Sequence, residues 1–196
     1  MSAAHQAAIE WYAPLQEWNP IHARVDTTSE WYAAQLERAK EVEANSIDDG
    51  VPPEHARNGV IAEAVVLNVF PYMERFDLND TDLHGYGRVF DVCSGAIRVE
   101  PSPDYEIIVK GHRKRAKATP GLDYYAVRVN HPDYYLIGYT NSIRFWHLAD
   151  DEPGKHSRRS EYYDEGASLG FKHFKQLPIP EDFSHLPPAI EVFGQG

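Results

Sequence analysis

The chain changes character once, near Gly85, and that change limits the fold more than any other feature. Upstream, Val60, Ile61, Ala64, Val65, Leu67 and Val69 crowd a run of residues 53–69 that is apolar almost all round. The spacing predicts a helix buried inside the domain, with Pro52-Pro53 at its start. Downstream, segments rich in Val, Ile, Tyr and Phe are separated by Gly, Pro, Asn and Asp. They predict strands at 86–93, 96–100, 104–110, 123–129, 134–139 and 142–148, with hairpin connections at Asn130-His131-Pro132-Asp133 and Thr140-Asn141. A buried helix followed by a β-rich half implies an α/β fold with a central mixed β-sheet flanked by helices. There is no Gly-x-Gly-x-x-Gly and no P-loop, so a doubly wound nucleotide-binding fold gains no support.

The ends are less regular. Residues 1–27 read as an arm without sustained periodicity, and Thr27-Thr28-Ser29 offers N-caps for a helix at 29–45. Residues 150–166 form a charged segment, a helix or helical turn is expected near 167–176, and a proline-punctuated tail follows. At 196 residues one domain is expected: an arm and helix at 1–50, the core at 51–150, and a charged loop with a C-terminal extension at 151–196. No apolar run is long enough to span a bilayer, and Met1 to Gln16 lacks the pattern of a signal peptide. The single cysteine, Cys93, permits neither an internal disulfide nor a cysteine-based zinc site. These features lead to the expectation of a cytoplasmic protein. Thirty acids against 19 bases leave a formal net charge of -11, which disfavours a protein that coats nucleic acid non-specifically. A local basic patch, a DNA mimic and a partner-binding protein all remain compatible with it.

The residues that could carry chemistry lie mainly between 63 and 117. Glu63 sits inside the apolar helix, where a carboxylate is costly unless it is paired or holds a metal. Asp91 lies at the end of a strand. In 104–110, alternation puts Glu106, Ile108 and Lys110 on one face, with Glu106 and Lys110 four rises, roughly 13 Å, apart. Carboxylates and a lysine on neighbouring strands suit phosphodiester hydrolysis, in which Mg²⁺ or Mn²⁺ supports the attacking water and the leaving oxygen. His112, Arg113, Lys114, Arg115 and Lys117 follow at once, and they could hold a nucleic-acid backbone beside such a site or form a solvated loop. Lys155, His156, Arg158 and Arg159 make a weaker second cluster.

The order Gly59-Val60-Ile61-Ala62-Glu63, Phe90-Asp91-Val92, a strand ending Val109-Lys110, then tyrosine-rich strands resembles the PD-(D/E)XK nuclease superfamily, the restriction-endonuclease-like fold. The resemblance covers about residues 53–148, and Leu177-Pro178-Ile179-Pro180 resembles the tail of some phage-type members. It implies a restriction-endonuclease-like core with an N-terminal helical extension and an Mg²⁺- or Mn²⁺-dependent nuclease acting on DNA in the (host) cytoplasm. Carried over, Glu63 is the helix carboxylate, Asp91 the principal metal ligand and Lys110 the catalytic lysine. The chain departs from the motif at Ile108, where the family has Asp or Glu. Glu106 could stand in, Asp82 or Asp80 could be recruited, or Ile97-Arg98-Val99-Glu100 could be the motif strand of an inactive protein with its lysine lost. Restriction-like enzymes often pair, so a homodimer is also implied. The competing reading is a catalytically inactive acidic protein on the same fold, a DNA mimic or inhibitor that binds a host protein partner.

Other conspicuous residues favour plainer roles. The ten histidines include no helical i, i+4 pair, so they read as surface or hydrogen-bonded groups, with His84 and His112 nearest the proposed site. In the pairs Tyr124-Tyr125, Tyr134-Tyr135 and Tyr162-Tyr163, one ring is expected in the core and the other at an edge. Cys93 reads as an inert thiol.

Overall fold

The structure, a computed structural model, describes residues 19–46, 53–75, 82–110, 122–151 and 166–193. Its elements in chain order are β1 (Ile21–Val25), α1 (Glu30–Ser46), α2 (Pro53–Val69), β2 (Met73–Arg75), β3 (Leu83–Gly85), β4 (Arg88–Ala96) and β5 (Glu106–Lys110). They continue with β6 (Leu122–Asn130), β7 (Asp133–Asn141), α3 (Ser142–Asp151), β8 (Gly166–Gly170), a 3-10 turn (Phe171–His173) and β9 (Ile190–Phe193). A 7-stranded sheet has the order β2-β3-β4-β6-β7-β1-β9, and β5 pairs with β8 in a separate two-stranded ribbon. The pairs are antiparallel except β4–β6, which is parallel with Asp91 beside Tyr124.

The helices start where their caps put them. Ser29 Oγ accepts the Tyr32 N–H at 3.1 Å and so satisfies one of the orphan donors that open α1. Pro53 opens α2, where a missing N–H costs nothing. As its apolar run predicts, α2 buries Val60, Ile61, Val65, Val66 and Val69, and full burial of such a side chain contributes about 1.5–3 kcal/mol.

Alternation along the strands divides the interior into two clusters. Phe90, Tyr125, Val127, Tyr134 and Leu136 pack with Ile61 and Val65 of α2 on one face. Tyr124, Ala126 and Ile137 pack with Phe145 and Trp146 of α3 and with Leu169 and Phe171 on the other. Both Tyr124 and Tyr125 are fully buried, whereas one of the two was expected at an edge. A sheet covered on both sides buries both phases of a strand. Tyr134 is buried and Tyr135 is half-buried, as expected of that pair. Tyr162-Tyr163 lies outside the described residues.

Several boundaries differ from the sequence expectation, each for a local reason. Residues 142–148, expected as a strand, belong to α3. Asn141 Oδ1 accepts the N–H groups of Ile143 at 2.9 Å and Arg144 at 3.3 Å, so it caps a helix instead of turning a hairpin. Residues 167–176, expected as helical, form β8 and the 3-10 turn. There Phe171 N–H donates to Tyr105 O at 2.7 Å and Lys172 N–H to Pro103 O at 3.1 Å. Residues 97–100 form no strand. The arm and the tail contribute strands β1 and β9, which pair with each other in the main sheet. The hairpin at 130–133 forms as expected, with Asn130 opposite Asp133.

Candidate functional site

Asp91 is carried by β4 and is 5% exposed. Its neighbour Phe90 belongs to the α2-side cluster, and Cys93, two residues on, packs against the α3-side cluster. By the period of the pleat, Asp91 therefore faces the α3 side. The strand is held in place from the edge: Asp82 Oδ2 accepts the Val92 N–H at 2.6 Å, and Asp82 N–H donates to Phe90 O at 3.0 Å. Asp82, just before the start of β3, thus extends the backbone hydrogen bonding to β4 by one residue, a structural task for one of the acids considered as a substitute ligand. Asp80 lies outside the described residues.

The side of the sheet that Asp91 faces carries aromatic and cationic groups. Tyr124 is the cross-strand neighbour of Asp91, and the Tyr124 hydroxyl accepts the Trp146 Nε1–H at 3.0 Å. Burial raises the Tyr124 hydroxyl above its ordinary range, so this group is a neutral phenol at every ordinary pH. Arg128, further along β6, is buried, and its guanidinium lies 5.0 Å from the centre of the Phe171 ring. Burial pulls its pKa down to about 10, still leaving it cationic near neutrality. A Cβ at Gly95 would lie 2.3 Å from Arg128 Nη1, so the glycine makes the room that this guanidinium occupies. Arg144 of α3 is buried as well. The ribbon β5–β8 covers the same side: Leu169 of β8 belongs to the α3-side cluster, and β5 touches β4. Glu106 and Lys110 are placed by the backbone of β5, while their side chains lie outside the described residues.

Glu63 occupies a different place. It projects from α2 on the opposite side of the sheet and forms ion pairs with Arg75 of β2 and, at 3.5 Å, with Arg38 of α1. The structure does not bring Glu63 and Asp91 together. The reason is topological: α2 lies on the face that Phe90 occupies, and Asp91 is out of phase with Phe90 by one residue. The costly carboxylate of the apolar helix is thus compensated by two guanidinium groups.

A second buried acid had no place in the sequence reading. Asp123 is 0% exposed. Arg88 Nη1 donates to its Oδ2 at 2.7 Å, and Asn141 Nδ2 donates to its Oδ1 at 3.2 Å. Burial raises its pKa, against the opposing pull of Arg88, Asn141 and Lys175. Asp123 lies beside Phe90 in the β4–β6 register, so it shares the α2 side with Glu63. The signal was available: Asp123 is the one charge in the run Leu122-Asp123-Tyr124-Tyr125-Ala126-Val127, and Arg128 interrupts its continuation. A charge inside an apolar strand carries the same information as Glu63 inside an apolar helix.

His84 forms an exposed ion pair with Glu74 at 3.2 Å. His112, Arg113, Lys114, Arg115 and Lys117 lie outside the described residues, as do Lys155, His156, Arg158 and Arg159. Among the described residues no group of three or more His, Cys, Asp or Glu side chains could hold a metal ion. No helix among them is long and apolar enough to cross a membrane.

Fold and geometry together define an α/β protein with a mixed 7-stranded sheet and buried acids on both of its faces. Comparison with family models finds no match, and comparisons with curated proteins and with solved structures find none either.

Proposed function

We propose that the chain is a metal-dependent nuclease with a restriction-endonuclease-like core, working on the Asp91 face of the sheet. The observation that carries the reading is the setting of Asp91. It is a buried carboxylate on the parallel strand pair, on the side covered by the ribbon whose strand β5 carries Glu106 and Lys110. Buried Arg128 lies on the same side, and a fixed guanidinium there suits an anionic substrate.

The donor chemistry fits a hard divalent cation in type, since Asp91, Glu106 and the backbone of their strands offer oxygen ligands. The described side chains alone do not complete a binding group, so Asp91 is the anchor and Glu106 the second carboxylate of the proposal. When bound, Mg²⁺ or Mn²⁺ would supply charge neutralisation at the phosphoryl group and a more acidic water. The chain's own contributions are separate. Asp91 supplies fixed negative charge, Arg128 offsets negative charge on the substrate, and Lys110 assists the attacking water. Residues 112–117 hold the backbone of DNA. Glu63 has no part in the chemistry and instead joins α1, α2 and β2 through its two arginines.

The test incubates the wild type, Asp91→Ala and Lys110→Ala with plasmid and single-stranded DNA in Mg²⁺ or Mn²⁺. Cleavage by the wild type that both substitutions abolish supports the proposal. No cleavage by the wild type in any condition rejects it for DNA and transfers weight to the acidic interaction protein. Cleavage that survives both substitutions means that the site lies elsewhere.

A further inference from the structure

We propose that Asp82 is the residue that positions the carboxylate of Asp91. Its value to catalysis rests on the nuclease reading, while its hold on Asp91 is measurable without that reading. β3 pairs with β4 only from Leu83, opposite Phe90, to Gly85, opposite Arg88. β6 accompanies β4 much further, from Val89 to Ala96. Phe90 therefore has a registered strand partner on either side, whereas Asp91 has its registered partner, Tyr124, on the β6 side. Asp91 stands where the strand passes from two neighbours to one.

At that point Asp82 acts on both peptide groups that flank Asp91. The Asp82 N–H donates at 3.0 Å to Phe90 O, which belongs to the peptide before Asp91. Asp82 Oδ2 accepts at 2.6 Å the N–H of Val92, which belongs to the peptide after Asp91. In an extended strand these two groups point to one edge, and the N–H and C=O of the residue between them point to the other. Because each peptide is planar, the orientations of the two fix φ and ψ of Asp91 and hence the direction in which its Cβ leaves the strand. One residue thus holds, from the β3 edge, the backbone that aims a carboxylate only 5% exposed.

The chemistry of the hold suits the task. An ionised carboxylate that accepts a backbone N–H makes a shorter and stronger bond than a neutral carbonyl does, and Asp82 is half-buried, so water competes less for it. A catalytic group has to be kept within about 0.5 Å and 10–20° of its working position. Residues that orient a metal ligand without touching the metal commonly matter by about 10–100-fold in affinity or activity. In this role Oδ2 of Asp82 is engaged by the backbone of β4, and Asp82 is a positioning residue instead of the substitute ligand considered from the sequence. The two roles call for different chemistry. An amide oxygen accepts the Val92 N–H as a carboxylate does, so Asp82→Asn keeps the hold and removes the charge. Asp82→Ala removes the side-chain acceptor.

The experiment has two arms, with the folding of every variant checked by circular dichroism. The first uses the full chain without metal or DNA. NMR follows amide exchange at Val92 and the carboxyl ¹³C signal of Asp91, identified by its loss in Asp91→Asn. In Asp82→Ala the Val92 amide should exchange about tenfold faster or more and the Asp91 signal should shift, with both close to wild type in Asp82→Asn. The second arm measures DNA cleavage against Mg²⁺ concentration at a temperature where all variants are folded. The Mg²⁺ needed for half-maximal cleavage should rise about tenfold or more in Asp82→Ala and stay within about twofold of wild type in Asp82→Asn. A mere loss of stability would lower the rate with the folded fraction and leave that midpoint in place. Unchanged Val92 exchange and Asp91 signal in folded Asp82→Ala, or an unmoved Mg²⁺ midpoint, overturns the proposal. Equal damage from Asp82→Asn and Asp82→Ala also overturns it and returns Asp82 to the metal as a ligand. A wild type that cleaves nothing, with the first arm as expected, rejects the nuclease reading and supports the hold on Asp91, so the two failures are told apart.

Discussion

Replacing Glu63 by Gln separates a structural carboxylate from a metal ligand. Glu63 is 13% exposed and faces Arg75, 22% exposed, and Arg38, 36% exposed. Glutamine preserves the volume and the possibility of a hydrogen bond but removes a negative charge that both guanidinium groups face. Removing one partner of a fully buried pair costs about 3–5 kcal/mol. Both arginines here retain contact with water, which screens the lost attraction, so roughly 2 kcal/mol is the expected loss. With a urea slope of about 2 kcal/mol/M, the unfolding midpoint should fall by about 1 M. For a chain of this size the thermal midpoint should fall by roughly 4–8 °C. The assay is equilibrium urea unfolding followed by tryptophan fluorescence, with and without Mg²⁺. A loss independent of Mg²⁺ fits the arginine-paired role. A midpoint shift smaller than about 0.3 M, accompanied by loss of the wild type's response to Mg²⁺, would refute it and return Glu63 to the metal site.

Other predictions follow from the Asp123 side of the sheet. Asn141→Ala removes the cap of α3 and one donor to buried Asp123, so a loss of roughly 2–4 kcal/mol is expected in urea unfolding. Gly138→Ala places a side chain at φ +127° against Lys175 O. It should cost about 3 kcal/mol or more, while Gly87→Ala, at φ +71° with open space around it, should cost only about 1–2 kcal/mol. Lys175 gives a pH signature. Its folded pKa of about 8 lies below the ordinary lysine value of 10.5, so between these limits the unfolded chain binds more protons and the lysine's contribution to stability rises with pH. The difference in urea midpoint between wild type and Lys175→Gln should therefore move in favour of the wild type from pH 8 to pH 9.5, below the raised ionisation of Tyr139, Tyr124 and Tyr125. A flat difference over that interval would contradict the environment assigned to Lys175.

The sequence made α1 and α2 legible because their signals are local. Ser29 supplies a cap, Pro53 supplies a start, and an apolar run of helical period needs only one partner surface. β6, β7 and their hairpin were legible for the same reason, since adjacent strands of similar pattern pair through a short turn. β1 and β9 were not, because each is short and earns its place only by pairing with a strand distant in sequence. The run at 142–148 has strand-like composition, and its helical state depends on one side chain, Asn141, accepting two backbone N–H groups. Propensity lost to a cap.

The candidate site was legible in its residues and less so in its geometry. A charge within an apolar segment is a sound sign of a specific partner, and it identified Glu63. Applied to the strands, the same rule would also have found Asp123 and Arg128. Linear order does not state which face of a sheet a residue occupies relative to a packed helix. A one-residue difference in phase puts Phe90 against α2 and, by the period of the pleat, turns Asp91 with Cys93 to the α3 side. That is why two acids joined in the sequence reading occupy opposite faces.

The central claim is that chemistry belongs to the Asp91 face and that the Glu63 face supports the fold. A side-by-side DNA cleavage assay of Asp91→Asn and Glu63→Gln, in Mg²⁺ at a temperature where both remain folded, tests it most directly. The account predicts that Asp91→Asn is inactive while Glu63→Gln cleaves at a rate close to that of the wild type. Loss of activity in folded Glu63→Gln, or full activity in Asp91→Asn, would contradict it.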